Sequence, residues 1–138
     1  MFNRQLHSLF LVCLMAGLIG ACSAPEQRLV GTWQVDIEST LALEPETETL
    51  SDVERKTRKV LLEKFLGPVV YEFTAEGKTV VSVAGQRTEG SYEIRRNDGD
   101  VLILELRDAT RLRQVRVDLV DGGIVIEDNR RRIALTRR

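Results

Sequence analysis

From Val69 to the end of the chain, apolar residues recur at every second position, and short turn sequences interrupt them. Val69, Tyr71 and Phe73 alternate with Val70, Glu72 and Thr74; Val81 and Val83 follow in the next run. Thr88, Gly90, Tyr92 and Ile94 alternate with Glu89, Glu93 and Arg95, and Val101 to Leu106 is almost wholly apolar. Val115, Val117 and Leu119 alternate with Gln114, Arg116 and Asp118; Ile124 to Ile126 and then Ile133 and Leu135 complete the series. A period of two sends successive side chains to opposite faces, so each run predicts a strand with one buried face. Glu76-Gly77-Lys78, Ala84-Gly85-Gln86, Asn97-Asp98-Gly99-Asp100, Asp108 to Arg111, Asp121-Gly122-Gly123 and Asp128-Asn129 supply the turns between them. An earlier strand is predicted over Leu29 to Ile37, with Trp33, Val35 and Ile37 on one face and Thr32, Gln34 and Asp36 on the other. Gly31 there leaves room for a close approach by another group.

The periodicity changes once, between that first strand and the rest. Ser51 and Glu54 form a capping-box pair, and Val53, Thr57, Val60, Leu61 and Phe65 recur at spacings of three and four. A helix over about 52–66 is predicted, stopped by Gly67-Pro68, with its apolar stripe packed on the domain. Glu38 to Leu50, with Glu44, Glu46 and Glu48 around Pro45, reads as a solvated linker. It lacks the glycine turn and the Asn and Asp ligands of a calcium loop, so no metal site is expected.

Eight sequential antiparallel strands with one apolar face remove their edges by closing on themselves. The expected fold is mainly β, an eight-stranded up-and-down barrel with one helix between strands one and two. A barrel of that size is either filled by its own side chains or holds one small ligand. The expected interior is Trp33, Val35, Ile37, Tyr71, Phe73, Val81, Val83, Tyr92, Ile94, Leu102, Leu104, Leu106, Val115, Val117, Leu119, Ile124, Ile126, Ile133 and Leu135.

The N-terminus follows a different logic. A segment carrying Arg4 and no acid precedes an apolar run from Leu9 to Ile19, too short for the ~20 residues of a spanning helix. Leu18-Ile19-Gly20-Ala21-Cys22 resembles the lipobox of bacterial lipoproteins. That resemblance implies removal of residues 1–21 as a signal peptide, lipid on Cys22, a tether over 22–28 and a domain over 29–138. Ser23, where an Asp tends to retain lipoproteins in the inner membrane, implies the outer membrane, facing the periplasm.

Cleavage alters the chemistry more than the length. Both methionines, His7 and Cys13 leave with the signal, and lipid occupies Cys22. The remaining 117 residues contain no histidine, no free thiol and no possible internal disulfide. Ser–His–Asp and Cys–His catalysis, thiol redox chemistry and zinc sites of His or Cys are thereby excluded. Paired carboxylates such as Glu72 and Glu93 remain, but alternation puts both on the polar face, and no enzyme and no cofactor is expected. Charge is uneven: residues 22–106 carry 16 acids and 10 bases, residues 107–138 carry 5 acids and 9 arginines. No uniformly basic surface suggests nucleic acid.

Gly31-Thr32-Trp33 ahead of a meander resembles the opening of lipocalin-like and fatty-acid-binding proteins. The Phe73 to Gly77 hairpin and the Gly90-Ser91-Tyr92 strand resemble the lipocalin-like domains of small bacterial lipoproteins. The early helix sits where fatty-acid-binding proteins carry a helical lid. Those proteins hold a carboxylate with a late arginine and tyrosine; here Arg132 or Arg137 is present but no late tyrosine. The resemblance implies a non-catalytic module for a small apolar or amphipathic molecule. Trp33, Tyr71, Phe73 and Tyr92 would line it, and Arg113 or Arg116 would pair an anionic head. The alternative is a filled barrel in which Arg130-Arg131-Arg132 and Arg137-Arg138 contact an envelope protein.

Overall fold

A computed structural model describes residues 24–138. The signal segment and Cys22 lie outside the described residues. The elements run α1 (Pro25–Leu29), β1 (Gly31–Val35), α2 (Ile37–Ala42), a 3-10 turn (Thr47–Thr49) and α3 (Asp52–Leu66). Seven strands follow: β2 (Val69–Phe73), β3 (Lys78–Val83), β4 (Gln86–Asn97), β5 (Val101–Arg107), β6 (Leu112–Val120), β7 (Gly123–Asp128) and β8 (Arg131–Arg137).

Each strand pairs antiparallel with the next, and β1 pairs with β8, so eight strands form a closed barrel. Turn chemistry sets the hairpins. Ala84 and Gly85 (φ +49° and +87°) and Asn129 and Arg130 (φ +48° and +68°) form two-residue loops in the left-handed conformation that matches strand twist. β4 is unusually long at 12 residues. Its first part, Gln86 to Ser91, pairs with β3, and its second, from Ser91 onward, pairs with β5. Gln86 to Gly90 therefore has no partner on the β5 side.

The inward set follows the alternation. Leu102, Leu104, Val117 and Ile124 are essentially inaccessible, and Trp33, Phe73, Val115, Leu119 and Leu135 are buried with them. Leu29 and Val69 also belong to this core, although the expected interior did not include them. Val83, expected inside, is 43% exposed because it ends β3 at the rim of the barrel.

Three expectations about the connections need correction. The predicted first strand is shorter: Ile37 opens α2, where the Asp36 carboxylate accepts a hydrogen bond from the Ser39 amide and caps the helix. The expected linker Glu38 to Leu50 contains α2 and the 3-10 turn, and the expected tether contains α1. α2 is fixed to the outer face of β8 by Thr40, whose buried hydroxyl accepts from the Ala134 amide (3.0 Å) and meets the Ala134 carbonyl (3.3 Å).

α3 forms with the expected bounds, and its capping box is complete: Ser51 Oγ accepts from the Glu54 amide, and the Glu54 carboxylate accepts from the Ser51 amide at 2.8 Å. Its stripe, however, does not pack on the domain. No α3 residue is fully buried, and Val53, Val60 and Phe65 are 74%, 58% and 65% exposed. The helix is held from its other side. Lys59 pairs with Glu38, Arg58 Nε with Glu44 (2.8 Å), Arg55 donates to the Thr47 carbonyl, and Leu66 packs on the core.

Candidate functional site

Odd-numbered strands run toward one end of the barrel, which carries the β3–β4, β5–β6 and β7–β8 turns. The opposite end holds the tryptophan. Trp33 Nε1 donates to the Leu29 carbonyl (2.9 Å), and α1 covers that end with Arg28 paired to Asp100 and Glu26 accepting from Asn97. This half is filled by aliphatic side chains.

The other half is hollow. A cavity of about 580 Å³ lies among β2, β3, β6, β7 and β8 and opens between the start of β4 and the β5–β6 turn. That volume lies within the roughly 300–1,000 Å³ typical of small-molecule sites. Its apolar wall comes from Phe73, Val81, Leu106, Val115, Ile126 and Ile133. The opening lies where Gln86 to Gly90 runs past the end of β5 without a partner on that side; at Gly90, where the two strands part, a Cβ would come within 2.6 Å of the Arg107 carbonyl oxygen.

Polar side chains share this lining, among them the Arg113–Asp128 pair. Arg113 Nη1 donates to Asp128 Oδ2 at 2.9 Å, with both side chains about 30% exposed. The bond is single, and Arg113 Nε is buried without a partner among the described residues. Tyr71 faces the same pair and makes no hydrogen bond to it. Burial pushes the Tyr71 hydroxyl above its ordinary pKa; the Arg113 charge opposes that rise and Asp128 adds to it. At neutral pH the phenol is therefore protonated and able to donate.

Of the residues singled out in the sequence, Tyr71, Phe73 and Arg113 come together on the cavity. Trp33 does not: it is 2% exposed in the filled half. Tyr92 is spent on structure, donating to the Thr74 carbonyl at 2.6 Å with its ring edge-on to Phe73, centroids 5.5 Å apart. Arg116 lies on the outer face, bonded to Asp118 at 2.8 Å, and has no place at an interior ligand. Cys22 lies outside the described residues. Asp128, Arg111 and Arg131 line the cavity and were not expected there; Arg131 had been assigned to a protein contact. For Asp128 the signal was present, since it continues the Ile124–Ile126 alternation by one step.

The other chemistries considered are also placed. Glu72 lies opposite Val80, which lies opposite Glu89, whereas Glu93 faces Glu105 and pairs with Arg95. Glu72 and Glu93 are thus not a facing pair. Of the late arginines, Arg132 is near Asp118 and Glu127, Arg131 is at the cavity, and Arg137 is bound to the backbone of the N-terminal segment. Among the described residues no His, Cys, Asp and Glu cluster could hold a metal, and no helix is long and apolar enough to cross a membrane.

No protein-family model matches the chain, and no curated protein matches it either. Among solved structures it is similar to a DUF4847 family protein from Bacteroides vulgatus, with a TM-score of 0.53 at 10% identity. The match covers 82% of this chain and 96% of the other. At that identity the likeness supports the barrel fold alone.

Proposed function

We propose that this is a lipid-anchored, non-catalytic protein of the cell envelope whose up-and-down, lipocalin-like barrel holds one small apolar or amphipathic molecule. The observation that carries binding is the hollow half of the barrel, a cavity of about 580 Å³ whose lining combines apolar side chains with charged ones of both signs. The filled half already supplies a core, each fully buried aliphatic adding ~1.5–3 kcal/mol, so stability does not require a second packed layer. Anchoring rests on Leu18-Ile19-Gly20-Ala21-Cys22, and Ser23 favours the outer membrane, facing the periplasm. α1 starts three residues after Cys22, so a lipid there would hold the domain within about 10 Å of the bilayer.

Native mass spectrometry of residues 23–138 from the host periplasm tests the binding half. Extra mass that disappears on denaturation is expected, and Ile133→Trp, which fills the cavity, should remove it. A bare mass from folded protein would overturn ligand binding. For the anchor, Cys22→Ser should move the protein from the membrane to the soluble fraction.

A second reading, an envelope protein that binds another protein, is favoured by one observation, the exposed Val53, Val60, Leu61 and Phe65 of α3. Val60→Glu with Phe65→Glu should then remove an in-cell cross-linked partner while leaving any cavity ligand in place. Unchanged cross-linking would count against this reading.

A further inference from the structure

The Arg113–Asp128 pair in the cavity carries a charge argument about what the cavity can hold. Arg113 is already matched by Asp128 at 2.9 Å, so an anion approaching the guanidinium also meets a carboxylate. A cation approaching Asp128 meets the guanidinium. The remaining charges on the cavity lining are balanced in kind, Arg107, Arg111 and Arg131 against Glu72, Glu89 and Asp108, with Arg111 and Asp108 paired at 3.6 Å. No net charge invites an ion.

Hydrogen-bonding capacity is nevertheless left over. The Arg113–Asp128 contact uses one nitrogen and one oxygen; among the described residues, buried Arg113 Nε has no acceptor, and Asp128 Oδ1 and the Tyr71 hydroxyl make no hydrogen bond. A buried donor without an acceptor is costly, and a ligand that satisfies it together with its open neighbours gains specificity over one that cannot.

We propose that Tyr71, Arg113 and Asp128 select an uncharged hydrogen-bonding head group, such as a hydroxyl, amide or ester, on a ligand whose apolar body lies along Phe73, Val81, Ile126 and Ile133. This rests on the cavity-binding reading above and narrows it. It also replaces the anionic head expected from the sequence: Arg113 is at the site, but its charge is already matched.

The test is calorimetric titration of residues 23–138, which carry the whole described fold, with decan-1-ol, decanoate, decylammonium and decane. Decan-1-ol should bind at least tenfold more tightly than either ion. Tyr71→Phe should weaken decan-1-ol about fivefold, the worth of one hydrogen bond, and leave decane unchanged. Asp128→Asn frees the Arg113 charge and should raise decanoate affinity tenfold or more. Tightest binding of decanoate by the unaltered chain, or decan-1-ol affinity indifferent to both substitutions, would overturn the head-group assignment and leave the cavity reading standing. Failure of all four compounds to bind a folded sample would overturn both.

Discussion

The guanidinium of Arg137 lies over the Trp33 ring, 4.4 Å from its centroid, in the space that Gly31 leaves open. From there it donates to the Val30 carbonyl at 2.7 Å and the Arg28 carbonyl at 2.9 Å. One side chain on the last strand thus stacks on the first strand and ties down the chain end of α1. Gly31 is required twice, because its φ of +146° disfavours a side chain and because a Cβ would overlap Arg137 Nη1.

Removing either member of this contact should be measurable. Arg137→Ala is expected to lower unfolding free energy by about 1–3 kcal/mol, from the lost cation–π contact and two charge-assisted hydrogen bonds. Gly31→Ala should cost roughly 1–3 kcal/mol through backbone strain and the clash. The two losses should not add: in the Arg137→Ala background the clash is absent, and urea denaturation should show a smaller cost for Gly31→Ala. Strict additivity would mean that the two residues do not share this space.

Thr40 makes a second tie across the sequence. Thr40→Val keeps the shape but leaves the Ala134 amide, on a residue 6% exposed, without its acceptor. A loss of about 1–3 kcal/mol is expected, together with faster exchange of the Ala134 amide hydrogen. Thr40→Ser, which keeps the hydroxyl, should recover most of it.

The α3 stripe predicts the opposite behaviour. If Phe65 were packed, Phe65→Ala would cost about 3–5 kcal/mol. Its 65% exposure gives an expected change within about 0.5 kcal/mol, and the same holds for Val53→Ser at the other end of the stripe. A large loss in the chemical melt of either variant would show that the stripe is covered in the folded chain.

In the β5–β6 turn, the Asp108 carboxylate accepts hydrogen bonds from the Thr110 amide, the Thr110 hydroxyl and the Arg111 amide. These bonds, Thr110's amide first, hold its pKa down at about 2 against an ordinary 3.8. A carboxyl whose folded pKa is depressed stabilises the fold above its unfolded value and loses that contribution as pH falls through the folded one. The turn should therefore hold at pH 5 and loosen between about pH 4 and 2. Carboxyl-carbon chemical shifts should place the Asp108 midpoint near the lower limit, and Thr110→Ala should raise it.

The strands were legible because alternation is a local property of the chain, and so were α3 and its capping box. Alternation says which face a residue occupies but not what fills the space in front of it. Trp33 and Tyr71 share the inward face, and they pair directly across β1 and β2, yet one is packed in the filled half and the other looks into the cavity. Arg116 already stood on the polar face by its spacing, and the structure leaves it there. α2 was missed because six residues are too few to establish a helical period, and what holds it is Asp36 at its start and a contact to β8, 94 residues on. The amphipathic pattern of α3 located an apolar face but carried no information about whether anything covers it. The role of Arg137 was invisible for the same reason as that of Thr40: each depends on a partner at the other end of the chain.

Those long ties bear on the order in which the domain can form. Closure pairs Trp33, Gln34 and Val35 with Arg137, Thr136 and Leu135, and joining residues so distant costs more chain entropy than forming any of the hairpins between β2 and β8. Hairpins with two-residue loops can assemble early, while the first and last strands wait for one another, a connectivity that slows folding. During synthesis the opening strand emerges with its tryptophan face uncovered and stays so until the final strand is available. In that interval the unpaired edges of β1 and β8 are open to strands of other molecules, so the step that seals the ring is also the one most exposed to competition from self-association.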